Sequence, residues 1–159
     1  MIDATTIQTT VEHALAHHNA GYNCAEAVLL ATCAVTGCHC DCVPRIATGL
    51  GGGVGSQGEL CGALTGVVLT LGLLYGRERA DEIEKKEATR AKTAQFVRQF
   101  AEKNGAIRCR DILGLELNTE AGTREYQARN LKQECCAAAI TNAVQILLEL
   151  KDEWEPQPG

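Results

Sequence analysis

Residues 49–76 read GLGGGVGSQGELCGALTGVVLTLGLLYG and join a glycine-rich run to an apolar segment. The run places six glycines ahead of Cys61, and glycine backbone can approach a ligand closely because it carries no side chain. The apolar segment predicts a helix with Cys61 on its first turn, where free N–H groups and the helix dipole favour a thiolate. Within that helix, Gly62, Gly66 and Gly72 are expected to let neighbouring helices pack closely.

The composition is typical of one folded domain, apart from its cysteines. The chain has 159 residues, of which 45% are apolar, and this length can bury a substantial core. Its net charge of −5 gives a nucleic-acid role little electrostatic support. Nine cysteines without a recognisable signal peptide predict a cytoplasmic protein whose thiols are ligands or redox groups. Segment 61–76 is shorter than the roughly 20 residues that cross a bilayer, so we expect no membrane span.

Helical periodicity covers most of the chain, and strand signals are weak. Asn23 is expected to cap a helix that begins at Cys24, and Pro44 suits the first position of a later helix. The predicted helices cover about residues 5–19, 24–36, 44–50, 61–76, 77–103, 109–113, 119–131 and 136–151. The sequence therefore predicts an all-α fold, a single-domain helical bundle of about five to seven helices over residues 1–152, followed by a flexible tail at 153–159.

Four cysteines share one feature, because each stands at the beginning of a predicted helix: Cys24, Cys61, Cys109 and Cys136. If these helix starts lie close together, the four thiols meet where the helix dipoles favour their thiolate forms. Four thiolates can hold an iron–sulfur cluster or a tetrahedral zinc ion, and they can also form two disulfides or a dithiol redox pair. The alternative is that some of them are small core residues, since free cysteine is often buried.

The remaining cysteines suggest a second, weaker site. Cys33, Cys38, Cys40 and Cys42 lie within ten residues, and an extended chain would place the last three on one side. A second metal site and a local disulfide are both compatible with this spacing. Cys135 beside Cys136 is an alternative ligand or a bystander. We expect His17 and His18 to lie on a solvated helix end, with a role as ligand as the alternative.

The same segments carry a family resemblance. Residues 23–28 (NCAEAV), the glycine run, residues 61–66 (CGALTG), residues 109–114 (CRDILG) and Cys136 with the apolar stripe that follows it resemble the C_GCAxxG_C_C family. That family is one of redox-active proteins defined by four cysteines and a CGAxxG motif. The resemblance covers residues 21 to about 148 and implies that the family cysteines are Cys24, Cys61, Cys109 and Cys136. Cys136 is preferred to Cys135 because the apolar residues that follow lie on the same helical face as Cys136.

The resemblance also implies a fold and a cofactor. A related domain occurs in split-Soret cytochromes c, which are dimeric and hold an iron–sulfur centre as well as haem. A mostly helical fold, a redox function and a bound cluster are therefore expected, and the chain is expected to form a homodimer.

Three functions follow from these patterns. The first is electron transfer through an iron–sulfur cluster on the four helix-start cysteines. The second is a metal-free thiol–disulfide oxidoreductase or redox sensor that uses the same thiols, and the third is a soft-metal protein that binds Cu(I) or Zn(II). The expected partners are a redox protein or a small-molecule thiol.

Overall fold

Helices account for nearly all the regular structure, as the sequence predicts. The computed structural model describes residues 2–155 of the chain. Its helical elements are α1 (Ala4–Asn19), α2 (Cys24–Thr36), a 3-10 helix (Arg45–Leu50), α3 (Gly62–Tyr75), α4 (Ile83–Asn104), α5 (Cys109–Leu113), α6 (Glu120–Ala128), a π-helical turn (Lys132–Cys136) and α7 (Ala137–Trp154). Residues 2–155 contain no β-strand and one isolated bridge, between Leu60 and Arg108. The all-α prediction is confirmed, with a few more helical elements than expected.

Helix α2 begins where the sequence predicts because its first turn is capped on both sides. The side chain of Asn23 accepts a hydrogen bond from the backbone N–H of Glu26, and the Glu26 carboxylate accepts one from the backbone N–H of Asn23. Such a reciprocal cap satisfies two backbone donors that the helix leaves unpaired. It fixes Cys24 as the first residue of α2.

Helix α4 begins six residues later than predicted. The carboxylate of Glu82 accepts hydrogen bonds from the backbone N–H groups of Glu78 and Arg79, at 2.8 and 2.9 Å. These bonds hold the segment as a turn, because a side chain that satisfies the backbone locally competes with the helix. The helix therefore starts at Ile83 rather than near residue 77.

The core lies between α1, α2, α3, α4 and α7. Its largest fully buried side chains include Phe96 and Phe100 of α4 and Leu147 of α7. Helices α2 and α3 pack with their backbones very close together. A Cβ atom on Gly66 of α3 would lie only 2.8 Å from the carbonyl oxygen of Ala25 in α2. Gly72 is different: a Cβ atom there would meet nothing within 4 Å, so its predicted role in helix packing is wrong.

The C-terminal helix extends past the predicted domain boundary. Helix α7 includes residues 153 and 154, and the indole N–H of Trp154 donates to the side chain of Gln95 at 2.8 Å. Residues 156–159 of the predicted tail lie outside the described residues. Among the helices that are described, none is long and apolar enough to cross a membrane.

Candidate functional site

The four cysteines that were predicted at helix starts line one cavity of about 380 Å³. They come from four distant segments of the chain, and Cys61 and Cys109 are buried while Cys24 and Cys136 are partly buried. The cavity is completed by glycines of the 51–58 loop, by Gly62, and by apolar and polar side chains that include His18, Ile112, Leu113, Tyr126 and Lys132.

The glycine-rich loop forms one wall of this cavity. Gly53 has φ +72°, and a Cβ atom there would lie 2.6 Å from the carbonyl oxygen of Glu59 and 2.7 Å from Cβ of Cys109. The backbone N–H of Cys109 donates to that same carbonyl oxygen at 2.7 Å, and the N–H of Cys61 donates to the carbonyl oxygen of Ile107 at 2.8 Å. Only glycine fits at position 53, and its absence of a side chain lets the Cys61 and Cys109 segments pair closely.

Helices α2 and α3 meet at their first turns. A Cβ atom on Gly62 would lie 3.0 Å from both Cβ of Cys24 and the backbone nitrogen of Ala25. The glycine that follows Cys61 therefore lets the first turn of α3 approach Cys24 directly. The motif glycine at 62 brings together two of the four cysteines, and the glycine at 66 extends the contact into the core.

Cys136 differs from the other three cysteines in its position. Cys24 and Cys109 are the first residues of α2 and α5, and Cys61 immediately precedes α3. Cys136 instead ends the π-helical turn that runs without a break into α7. The prediction that it stands at a helix start is wrong, because the turn before it already satisfies the backbone of the first residues of α7.

The protonation of the thiols also departs from the sequence-based expectation. Burial raises the pKa of Cys61 to about 11, partly opposed by the backbone N–H groups of Ala63 and Leu64. Burial, reinforced by repulsion from Cys61 and Cys136, raises the pKa of Cys109 to about 12. For these two thiols, the cost of desolvation exceeds the effect of the helix dipole, which was expected to favour thiolates.

The thiols of Cys24 and Cys136 shift each other's pKa. Hydrogen bonding between the two side chains raises the pKa of Cys24 and, against the cost of burial, lowers the pKa of Cys136 to about 7. The hydroxyl of Tyr126 lies 3.5 Å from the Cys136 sulfur and contributes to the same lowering. Cys136 is therefore the sulfur of the cavity that most readily carries a negative charge.

His18 belongs to the site, against the expectation of a solvated helix end. Its side chain is 5% exposed, and its Nε2 atom lies 3.6 Å from the sulfur of Cys24. Burial, with a smaller effect of nearby Lys132, lowers the pKa of His18 to about 4, so the ring is neutral at pH 7. The sequence contained a signal for this placement, since His18 continues the buried stripe of Val11 and Ala14 at helical spacing. Tyr126 and Lys132 had no such signal.

The other cysteines lie outside this cavity. Cys135 is partly exposed and does not line it. Cys40 and Cys42 are joined by a disulfide, and the sulfurs of Cys33 and Cys38 lie 2.7 Å apart. Over residues 2–155, no three His, Cys, Asp or Glu side chains are grouped closely enough to hold a single metal ion.

Arg110 fastens the glycine loop to α5. Its guanidinium donates to the carbonyl oxygens of Gln57 and Gly58, at 2.7 and 3.2 Å, and lies 3.2 Å from the carboxylate of Glu59. We expect Arg110→Leu to lower the free energy of unfolding by about 1–2 kcal/mol, because the loop carbonyls lose their donors. It should also speed amide hydrogen exchange in residues 51–60.

Arg108→Leu is the matched control for this loop. The Arg108 guanidinium is 3.7 Å from the Glu59 carboxylate, and both side chains are about half exposed. Exposed ion pairs contribute about 0–1 kcal/mol. Urea unfolding and hydrogen exchange of both variants test the account, and equal effects of the two substitutions would contradict it.

Comparison with known proteins agrees with the arrangement of the cysteines. Residues 22–150 match the family described as "Putative redox-active protein (C_GCAxxG_C_C)". A protein of Archaeoglobus fulgidus, itself described as uncharacterized, is 29% identical over 116 residues, which cover 69% of this chain and 71% of the relative. No solved structure matches the chain. The match spans all four cysteines of the cavity, and the chain is therefore a member of the C_GCAxxG_C_C family of redox-active proteins.

Proposed function

We propose that the protein transfers electrons through an iron–sulfur cluster held by Cys24, Cys61, Cys109 and Cys136. One observation carries the proposal: four cysteines from four separate segments of the chain line a single cavity. Cysteine thiolates are the usual ligands of such clusters. A bound cluster would supply one-electron chemistry at a potential that the surrounding protein tunes.

The size of the cavity supports a cluster over a single ion. Four thiolates around one zinc ion must lie within about 4 Å of one another, since each Zn–S bond is about 2.3 Å long. The cavity that the four cysteines help to line measures about 380 Å³, and among residues 2–155 no three possible ligands form a close group. This volume leaves room for a ligand that contains several metal and sulfide atoms.

The residues around the sulfurs suit a shielded redox centre. Cys61 and Cys109 are 6% and 9% exposed. Gly52, Gly53 and Gly62 present backbone rather than side chains to the cavity, so the chain can lie close to whatever it holds. Limited exposure and close backbone are two features by which proteins tune cluster potentials.

Analysis of iron and acid-labile sulfide after anaerobic reconstitution tests this proposal. We expect iron and sulfide in equal molar amounts in the wild-type protein, and neither in a variant with all four cysteines changed to serine. Uptake of iron without sulfide, or equal uptake by wild type and variant, would contradict it.

The interaction between Cys24 and Cys136, which line the same cavity, favours a second candidate function. Two thiols that interact in this way can form a disulfide, and the protein would then act as a metal-free thiol–disulfide oxidoreductase. On this alternative, mild oxidation of cluster-free protein yields a Cys24–Cys136 linkage that a dithiol reverses. Mass-spectrometric mapping checks this. If both residues stay reactive toward an alkylating agent after oxidation, the candidate is excluded.

A further inference from the structure

A second group of sulfurs lies at the opposite end of α2 from the cavity. Cys33 is in the last turn of α2, whereas Cys24 is its first residue. Nine residues of α-helix separate the two by roughly 13 Å. Cys33 packs with Cys38, Val43 and Ala47 in a small apolar cluster of its own. The two groups of cysteines are therefore distinct sites.

In this second group, two thiols share one cavity with one cysteine of a disulfide. The sulfurs of Cys33 and Cys38 are 2.7 Å apart, about 0.7 Å more than the length of a disulfide bond. Cys40 is joined to Cys42. Cys33, Cys38 and Cys40 all line a surface cavity of about 300 Å³. The free thiols of Cys33 and Cys38 thus lie beside the existing Cys40–Cys42 disulfide.

The Cys38 sulfur has the surroundings of an attacking group. Both thiols line the cavity, but Cys33 is only 6% exposed, whereas Cys38 is partly buried and more accessible. The hydroxyl of Thr36 donates to the carbonyl oxygen of Thr32 at 2.6 Å and lies 3.4 Å from the Cys38 sulfur. When Cys38 ionises, this hydroxyl can turn and donate to the thiolate that performs thiol–disulfide exchange. Cys38 is therefore placed to react first and Cys33 to react with it second.

We propose that Cys33, Cys38, Cys40 and Cys42 form a second redox site, separate from the four-cysteine cavity, which moves one disulfide between two cysteine pairs and exchanges it with an external dithiol.

The exchange needs no outside oxidant. The Cys38 thiolate attacks the Cys40 sulfur, the Cys40–Cys42 bond breaks, and Cys42 leaves as a thiolate that takes up the proton lost by Cys38. Cys33 then gives up its proton and attacks the Cys38 sulfur, and Cys40 leaves and takes up that proton. One disulfide and two thiols are present before and after. An external dithiol that reduces either disulfide passes two electrons and two protons to the protein and becomes a disulfide itself.

Disulfide mapping in dithiothreitol redox buffers tests the proposal. The full-length wild-type protein is equilibrated anaerobically at graded ratios of reduced to oxidised dithiothreitol, then alkylated and mapped by mass spectrometry. We expect both the Cys33–Cys38 and the Cys40–Cys42 linkage in the partly oxidised protein. Cys38→Ser should contain only the second linkage. Cys135→Ser, which removes a partly exposed thiol elsewhere, should behave as the wild type.

A conservative variant separates exchange from folding. Thr36→Val keeps all four cysteines but removes the hydroxyl beside the Cys38 sulfur. Starting from the Cys40–Cys42 form, it should produce the Cys33–Cys38 linkage roughly three- to tenfold more slowly than the wild type. An unchanged rate would overturn the assigned role of Cys38 as the attacking thiol.

Two results would overturn the proposal as a whole. The first is that Cys33 and Cys38 are alkylated at every buffer ratio in the wild-type protein. The second is that Cys38→Ser loses the iron and sulfide that the wild type incorporates, because the two sites would then not be separate. Neither the mapping nor its interpretation depends on whether the four-cysteine cavity holds a cluster.

Discussion

Cys136→Ser is expected to lose its iron–sulfur chromophore, whereas Cys135→Ser keeps it. Cys136 lines the cavity with its sulfur 3.5 Å from the hydroxyl of Tyr126, whereas Cys135 does not line it. A serine hydroxyl is a poor substitute for a thiolate ligand of iron. We expect iron content to fall more than about tenfold, since even residues that only orient metal ligands contribute roughly 10- to 100-fold to affinity.

This adjacent pair provides its own control. Both substitutions replace sulfur with oxygen in the same π-helical turn, so their effects on folding should be similar. The measurements are visible absorption and iron per chain after anaerobic reconstitution, with circular dichroism to verify the helical fold. Loss of the chromophore in Cys135→Ser with retention in Cys136→Ser would mean that the ligand has been assigned to the wrong residue.

Gly66→Val is expected to lower the free energy of unfolding by about 3 kcal/mol or more. A Cβ atom at this position would lie 2.8 Å from the Ala25 carbonyl oxygen and 3.1 Å from Cβ of Val28. The first contact is with backbone, which cannot move aside as a flexible side chain can. Helices α2 and α3 would have to separate, and overpacking of this kind typically costs 1–3 kcal/mol before the remaining valine atoms are placed. The melting temperature should fall by roughly 6–12 °C.

Gly72→Val on the same helix is the control. A Cβ atom there meets nothing within 4 Å, and the residue is exposed. Its free energy of unfolding should change by less than about 0.5 kcal/mol. Thermal and urea unfolding of the two variants settle the comparison. If both substitutions have equally small effects, the close contact between α2 and α3 does not stabilise the protein.

Local signals in the sequence were sufficient for most of the fold. Asn23 and Glu26 form a cap that fixes the start of α2, and Gly114 ends α5 in the left-handed conformation that glycine favours. The cysteine pattern also predicted four side chains that the structure brings to one cavity. These features depend on residues close together in the chain or on a motif that marks the family.

The features that could not be predicted arise from contacts between distant segments. Cys136 was expected at a helix start, but the π-helical turn before it continues the helix toward the N-terminus. Burial raises the pKa of the Cys61 and Cys109 thiols. The hydrophobic periodicity of the sequence does not show how far a thiol is desolvated, so this shift could not be predicted. Gly66 and Gly72 look alike in the sequence, and only the position of α2 makes one indispensable and the other replaceable.

The spectrum of the wild-type protein purified without oxygen tests the central claim most directly. We predict broad visible absorption that dithionite bleaches, together with a change in the electron paramagnetic resonance spectrum on reduction, because a cluster on Cys24, Cys61, Cys109 and Cys136 would accept a single electron. A protein that is colourless after anaerobic purification and after reconstitution, with no paramagnetic signal before or after reduction, would contradict the account.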